Sequence, residues 1–135
     1  MTAASRKESE DVPVDPAELL PEDSVLSFEE YLEMQRAIGE KTRYRILHVL
    51  RNHGEKSPKE LTATLGLAGN ALHHHLNTLV DVGLVEKRAR KEADSRGLYT
   101  YYRATAIGEG ILEHGLETVM RKEHEYRERY GNDSG

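Results

Sequence analysis

From residue 27 onward, apolar positions recur at helical spacing, change to an alternating pattern near residue 84, and return to helical spacing after residue 105. Phe28, Leu32, Gln35 and Ile38 share one helical face, with Tyr31 and Met34 beside them. Ser27 and Glu30 stand at the spacing of a capping box in front of that face, and Gly39 ends it. A second helix is predicted from about Lys41 to Asn52, with Ile46, Leu47 and Leu50 inward and Gly54 as its stop. Ser57-Pro58-Lys59-Glu60 is the clearest helix start in the chain: a capping serine, proline at the first helical position and glutamate at the third. Leu61 and Leu65 give this short helix its core face, and Gly66-Leu67-Ala68-Gly69 makes a turn. A fourth helix follows over about 68–81 with Leu72, Leu76 and Leu79 as its stripe.

Leu84-Val85 then opens a strand reaching Arg90, residues 92–97 have loop chemistry, and the β-prone Leu98-Tyr99-Thr100-Tyr101-Tyr102-Arg103 closes a hairpin. Ile107, Ile111, Leu112, Leu116, Val119 and Met120 predict one long last helix to about Tyr130, ~36 Å if unbroken. Glycines 108, 110 and 115 weigh against it, at about 1 kcal/mol each relative to alanine. The fold class expected is mainly α with a small β-hairpin: a winged helix-turn-helix with a long C-terminal dimerisation helix. The organisation expected is a flexible acidic tail over 1–24, a DNA-binding domain over 25–105, the dimerisation helix over 106–130 and a short tail over 131–135.

Charge first argues against nucleic acid, because the net is −5. Its distribution reverses that reading. Residues 1–35 hold ten acidic and two basic side chains, residues 36–105 seven and thirteen, and residues 106–135 seven and four. A basic middle between acidic ends can still steer a polyanion. Twelve arginines against seven lysines, with 24 acids, fit a high-salt cytoplasm and also an ordinary acidic protein. The chain has no cysteine, which excludes disulfides, thiolate metal sites and thiol redox sensing. The polar start Met1–Glu10 lacks a signal peptide's apolar core, and no run approaches the ~18 apolar residues of a membrane span, so a cytoplasmic location is expected.

With Leu72 inward, Asn70, His74 and Asn77 point outward on the fourth helix, His73 lies on one flank, and His75 lies near the core. Asn70, His73, His74 and Asn77 are therefore the candidate base contacts: asparagine pairs bidentately with adenine, and neutral histidine can donate or accept. Ser57, Lys59 and Gly69 at helix starts, with Lys87, Arg88, Arg90, Lys91 and Arg96 on the wing, are the candidate backbone contacts. Three consecutive histidines invite a metal site, but neighbours on a helix point about 100° apart, so one ion cannot easily take all three. The tyrosines at 99, 101 and 102 either stack on bases or pack the wing on the core, and packing is the reading preferred. Ile111, Leu112, Leu116, Val119 and Met120 are the expected dimerisation residues, since a domain of this size cannot easily bury them alone.

Thr42-Arg43-Tyr44-Arg45-Ile46-Leu47, Leu67–Leu76 and Leu79–Val85, followed by Tyr99-Thr100-Tyr101-Tyr102-Arg103, resemble the helix-turn-helix and wing of ArsR-type regulators over about residues 30–105. PadR-type regulators share the fold and a long C-terminal dimer helix. With the acidic composition, the resemblance implies a haloarchaeal, stress-responsive transcription regulator. The Cys-x-Cys pair of the family's metal sensors is absent from Lys59–Thr64. Of the family's alternative carboxylate and histidine site on the last helix, His114, Glu125 and Glu128 match in part, but Leu112 stands where the first acid is expected, so no metal is predicted.

The function expected is a homodimeric regulator that binds double-stranded DNA, without a cofactor, membrane contact or small-molecule ligand. The alternative is a winged-helix module that binds a protein partner. No nucleophile–base pair, phosphate loop or pair of catalytic carboxylates points to an enzyme.

Overall fold

The computed structural model describes residues 11–92 and 97–127. Within the expected tail, Pro16–Leu19 form a single 3-10 turn capped by the Asp15 carboxylate, which accepts from the Ala17 amide at 3.0 Å. Four helices follow: α1 (Phe28–Ile38), α2 (Lys41–His53), α3 (Pro58–Leu65) and α4 (Gly69–Asp81). Strands β1 (Val85–Lys91) and β2 (Leu98–Ala104) precede α5 (Ala106–Glu113) and α6 (Leu116–Arg121).

Both capping boxes form. Ser27 accepts from the Glu30 amide while Glu30 accepts from the Ser27 amide, and Ser57 and Glu60 do the same at the start of α3. Gly66 ends α3 in the left-handed conformation, φ 67°, where a side chain would be strained, and its amide reaches the Thr62 carbonyl at 2.8 Å. This is the tight turn that swings α4 across α3.

The core is one cluster. Ile46, Leu47, Leu61, Leu72, Leu76, Leu79, Leu84 and Leu112 are fully buried in it, with Tyr102 and Met34 nearly so. α1 contributes differently from its sequence pattern. Met34, Ala37 and Ile38 are buried, whereas Tyr31, Leu32 and Gln35 are exposed. Among the described residues, the buried positions of α1 are all in its second half, Phe28 is half-buried, and Tyr31 and Leu32 stay exposed.

β1 and β2 pair antiparallel from Val85↔Ala104 to Lys91↔Leu98. Beside this two-stranded sheet Lys56 makes an isolated antiparallel bridge, exchanging backbone hydrogen bonds with Tyr102 at 3.0 and 2.8 Å. The base of the wing is thereby fastened to the residue before the Ser57 cap.

The last helix corrects the expectation most. The single long helix does not form. α5 stops at Glu113, Gly115 leaves helical geometry (φ −114°, ψ −133°), α6 stops at Arg121, and residues 123–127 are helical again after Lys122. At Gly108 a Cβ would lie 2.2 Å from the Leu84 carbonyl oxygen, so this glycine serves close packing of α5 on the wing base. Leu112 is likewise a core residue of its own chain. Ile111 is half-buried against the core, and Leu116, Val119 and Met120 remain outward.

Candidate nucleic-acid interface

α4 separates two kinds of residue cleanly. Leu72, Leu76 and Leu79 are buried, and Asn70, His73, His74 and Asn77 are all exposed. Ala68, its N-cap residue, offers no side-chain hydrogen bond to the first turn, so the donors there are left for an outside partner. Nothing lies within 4 Å of where a Gly69 Cβ would stand, so that start is open to close approach.

His75 is the member of the histidine run that faces inward. Its Nδ1 lies 3.3 Å from the Arg43 guanidinium and 3.8 Å from the Glu40 carboxylate. Arg43 also donates from Nε to the Ala37 carbonyl at 2.7 Å, and Glu40 accepts from the Arg43 amide at 2.8 Å. The backbone bond from Arg43 is the main reason the Glu40 carboxyl is held below its ordinary range, outweighing its partial burial. Four groups from the α1–α2 corner and α4 thus fix the orientation of the exposed face.

On the wing, Lys87, Arg88, Arg90 and Lys91 are exposed. Arg90 is nonetheless tied to its own chain. It donates to the Glu55 carboxylate at 2.8 Å, and its guanidinium sits 4.9 Å from the ring centres of both Tyr99 and Tyr101. Those rings stack with centres 5.7 Å apart. The hydrogen bond to Glu55 also raises the Arg90 pKa. Arg103 donates to Glu86, and Arg88 lies 3.6 Å from the same carboxylate. Lys87 and Lys91 have no ion pair among the described residues. Arg96 lies outside the described residues.

Tyr99 closes the link to α3. Its hydroxyl donates to the Glu60 carboxylate at 2.8 Å, which raises the tyrosine pKa. The Ser57 amide bond, the Tyr99 hydroxyl and the Ser57 side chain together bring the Glu60 carboxyl down to about 2. Ser57 is half-buried in its capping role, and Lys59 beside it is exposed. The tyrosines therefore divide: Tyr102 packs the core, whereas Tyr99 and Tyr101 face the wing's arginine. Sequence reasoning passed over Glu55, Glu60 and Glu86 as wing partners. Alternation along β1, with Glu86, Arg88 and Arg90 on one face, was the available signal.

His114 ends α5 and Glu125 lies in the last helical segment, while Glu128 falls outside the described residues. Among the described residues no three metal-ligating side chains converge, and no helix is long and apolar enough to cross a membrane.

Residues 38–88, from the end of α1 into β1, match the model of a helix-turn-helix domain. No curated protein matches the chain. Among solved structures, the homodimeric winged helix-turn-helix DNA-binding domain from Mycobacterium bovis shares 23% identity over 73% of this chain and 84% of its own, with a TM-score of 0.57. The fold is a winged helix-turn-helix. Reduced HlyU from Vibrio cholerae is 29% identical over 63% of this chain and 83% of its own, TM-score 0.51. An ArsR-like transcriptional regulator from Rhodococcus is 27% identical over 78% of this chain and 90% of its own, TM-score 0.50.

Proposed function

We propose that this chain is a dimeric, sequence-specific DNA-binding transcription regulator of ArsR-like type. The observation that carries the reading is the exposed row Asn70, His73, His74 and Asn77 on a helix whose opposite side is locked into the core. α4 enters the major groove, where those side chains meet base edges. Ser57, Lys59, the open start at Gly69 and the wing cations Lys87, Arg88, Arg90, Lys91 and Arg96 meet phosphates or the minor groove. The similarity to a DNA-binding domain and to a transcriptional regulator supports this.

Leu116, Val119 and Met120, outward on α6, form the apolar part of the two-fold interface, with Ile111 at its edge. The Lys-poor acidic composition fits a high-salt cytoplasm, where counterion release fades and base contacts must supply more of the affinity. A stress signal, in a chain without cysteine, reaches it by chemistry other than thiol oxidation.

The test is selection from a random duplex pool in molar KCl. The expected product is a palindrome with half-sites about one helical turn, ~34 Å, apart. Asn70→Ala or His73→Ala then relaxes preference at one position by about 1–3 kcal/mol, while Arg88→Ala weakens all sequences alike. One observation favours a second reading, a module that binds a protein: Arg88, Arg90 and Arg103 already face carboxylates of their own chain. Absence of any enriched duplex in both molar and low salt, with a stoichiometric protein partner instead, would establish that reading.

A further inference from the structure

The two faces of the wing carry cations in different states. The register places Glu86, Arg88 and Arg90 of β1 beside Arg103, Tyr101 and Tyr99 of β2 on one face. Lys87 and Lys91 fall on the other, opposite Tyr102 and Leu98. Both lysines are exposed and have no ion pair among the described residues. Arg88 is loosely held, 3.6 Å from a carboxylate that Arg103 already occupies.

Arg90 differs from all of these. Its guanidinium donates to Glu55 at 2.8 Å and faces the Tyr99 and Tyr101 rings at once. Glu55 does not belong to the wing. It lies in the short link between α2 and α3, next to Lys56, whose backbone bridge to Tyr102 fastens that link to the hairpin. Tyr99 is held in turn by Glu60 of α3 at 2.8 Å. The Arg90 side chain is still half exposed, so a phosphate can reach it. Carboxylate and phosphate compete for the same planar set of donors. Moving Arg90 to a phosphate takes the partner from Glu55 and leaves a negative charge beside a polyanion, which is unfavourable.

We propose that Glu55 is a specificity-determining residue: it withholds Arg90 from loosely docked duplexes and yields it only where α4 is seated on its preferred sequence. This inference rests on the DNA-binding reading. Binding without sequence recognition comes from phosphate attraction, and each phosphate neutralised steepens the dependence on salt. Lys87 and Lys91 are available to any duplex, so they raise all affinities alike and add nothing to discrimination. Arg90 contributes only in the complex that holds a phosphate close enough, and in fixed enough geometry, to replace the Glu55 carboxylate. Discrimination is a difference between two affinities, and Glu55 is its repulsive element. Glu55 acts through Arg90 and positions it. Sequence reasoning passed it over because it stands 35 residues from its partner.

The experiment is titration of the full chain with a duplex from the selection above and with a scrambled duplex of the same length and composition, across a series of KCl concentrations. The proteins are wild type, Glu55→Gln, Glu92→Gln, Arg90→Ala and the Glu55→Gln/Arg90→Ala double variant. Glu92 is an exposed wing carboxylate without an ion pair among the described residues, so its removal reports the loss of charge alone. Glu55→Gln is expected to bind the scrambled duplex about fivefold or more tightly than wild type, with a salt slope steeper by about one. It should tighten the selected duplex no more than Glu92→Gln does, so the ratio of the two affinities falls by about threefold or more. Glu92→Gln is expected to leave that ratio unchanged, as is Glu55→Gln in the Arg90→Ala background, where there is no cation to withhold.

A ratio unchanged in Glu55→Gln overturns the proposal. So does one that falls equally in Glu92→Gln or in the Arg90→Ala background. Weaker binding of both duplexes by Glu55→Gln would mean that the contact supports the wing instead of restraining it, and overturns the proposal as well. A wild type that binds selected and scrambled duplexes alike, or neither, is the failure of the DNA-binding reading itself. A wild type that discriminates, with Glu55→Gln discriminating as well, is the failure of this inference alone.

Discussion

The Glu60 carboxylate caps α3 and receives the Tyr99 hydroxyl from the wing, so one side chain joins helix start and hairpin. Its folded pKa of about 2 lies below the ordinary value of 4.5. A depressed carboxyl stabilises the fold above its unfolded pKa and loses that contribution as pH falls through the folded value. The link is therefore at full strength above about pH 4.5 and fades toward about pH 2. Thermal melts of wild type and Glu60→Gln are expected to differ at neutral pH and to converge as pH approaches about 2. The group is solvent-exposed, so the difference at neutral pH will be small. This tie was hidden in sequence because Glu60 reads fully as a capping-box residue, and nothing in local spacing says that Tyr99 reaches it. The inward turn of His75 was legible from the helical wheel, but its Arg43 and Glu40 partners lie on another helix and were not.

Elements defined by local chemistry were read well. Ser27, Ser57, Gly54 and Gly66 mark helix ends by capping and turn rules that need no tertiary context, and the structure has them there. The wing strands followed from alternation and a tyrosine-rich run. The last helix was misread because apolar spacing from Ile107 to Met120 is helical on average, while the break lies at Gly115, where the backbone leaves helical geometry; Gly108, inside α5, serves close packing on the Leu84 carbonyl instead. Two glycines in α5 now separate the effects. Gly110→Ala meets nothing within 4 Å and is expected to stabilise the fold by about 0.5–1 kcal/mol through helix propensity. Gly108→Ala drives a methyl group into the Leu84 carbonyl and is expected to destabilise by about 1–3 kcal/mol despite the same propensity gain. Urea unfolding of the two variants checks both signs. Equal effects would mean that α5 does not lie on the wing base as described.

At the scale of the whole molecule, polar and apolar surfaces fall on different elements. The candidate base-reading face and the basic wing belong to α4, β1 and β2, whereas α6 exposes Leu116, Val119 and Met120, and α1 exposes Tyr31 and Leu32. Under the dimeric reading, Val119→Glu is expected to shift sedimentation from dimer to monomer with the melting temperature of the isolated domain little changed. It should also cost most of the affinity for a two-half-site duplex while sparing a single half-site. A variant that still sediments as a dimer would move the interface away from α6, and the exposed residues of α1 would be the next to substitute.

The Lys56–Tyr102 bridge, together with the Glu55–Arg90 and Glu60–Tyr99 contacts, fixes the wing relative to the start of α3. With α4 packed on α3 through the same core, the DNA-binding reading implies that the distance between groove contact and wing contact is set before any duplex arrives. On that reading, a reader whose reach is held by these contacts leaves the adaptation to the duplex. Bending or groove narrowing then falls on the base pairs between the two contacts, and stiff sequences there carry an elastic penalty that flexible ones do not. Operator choice would be exerted partly at positions that no side chain touches.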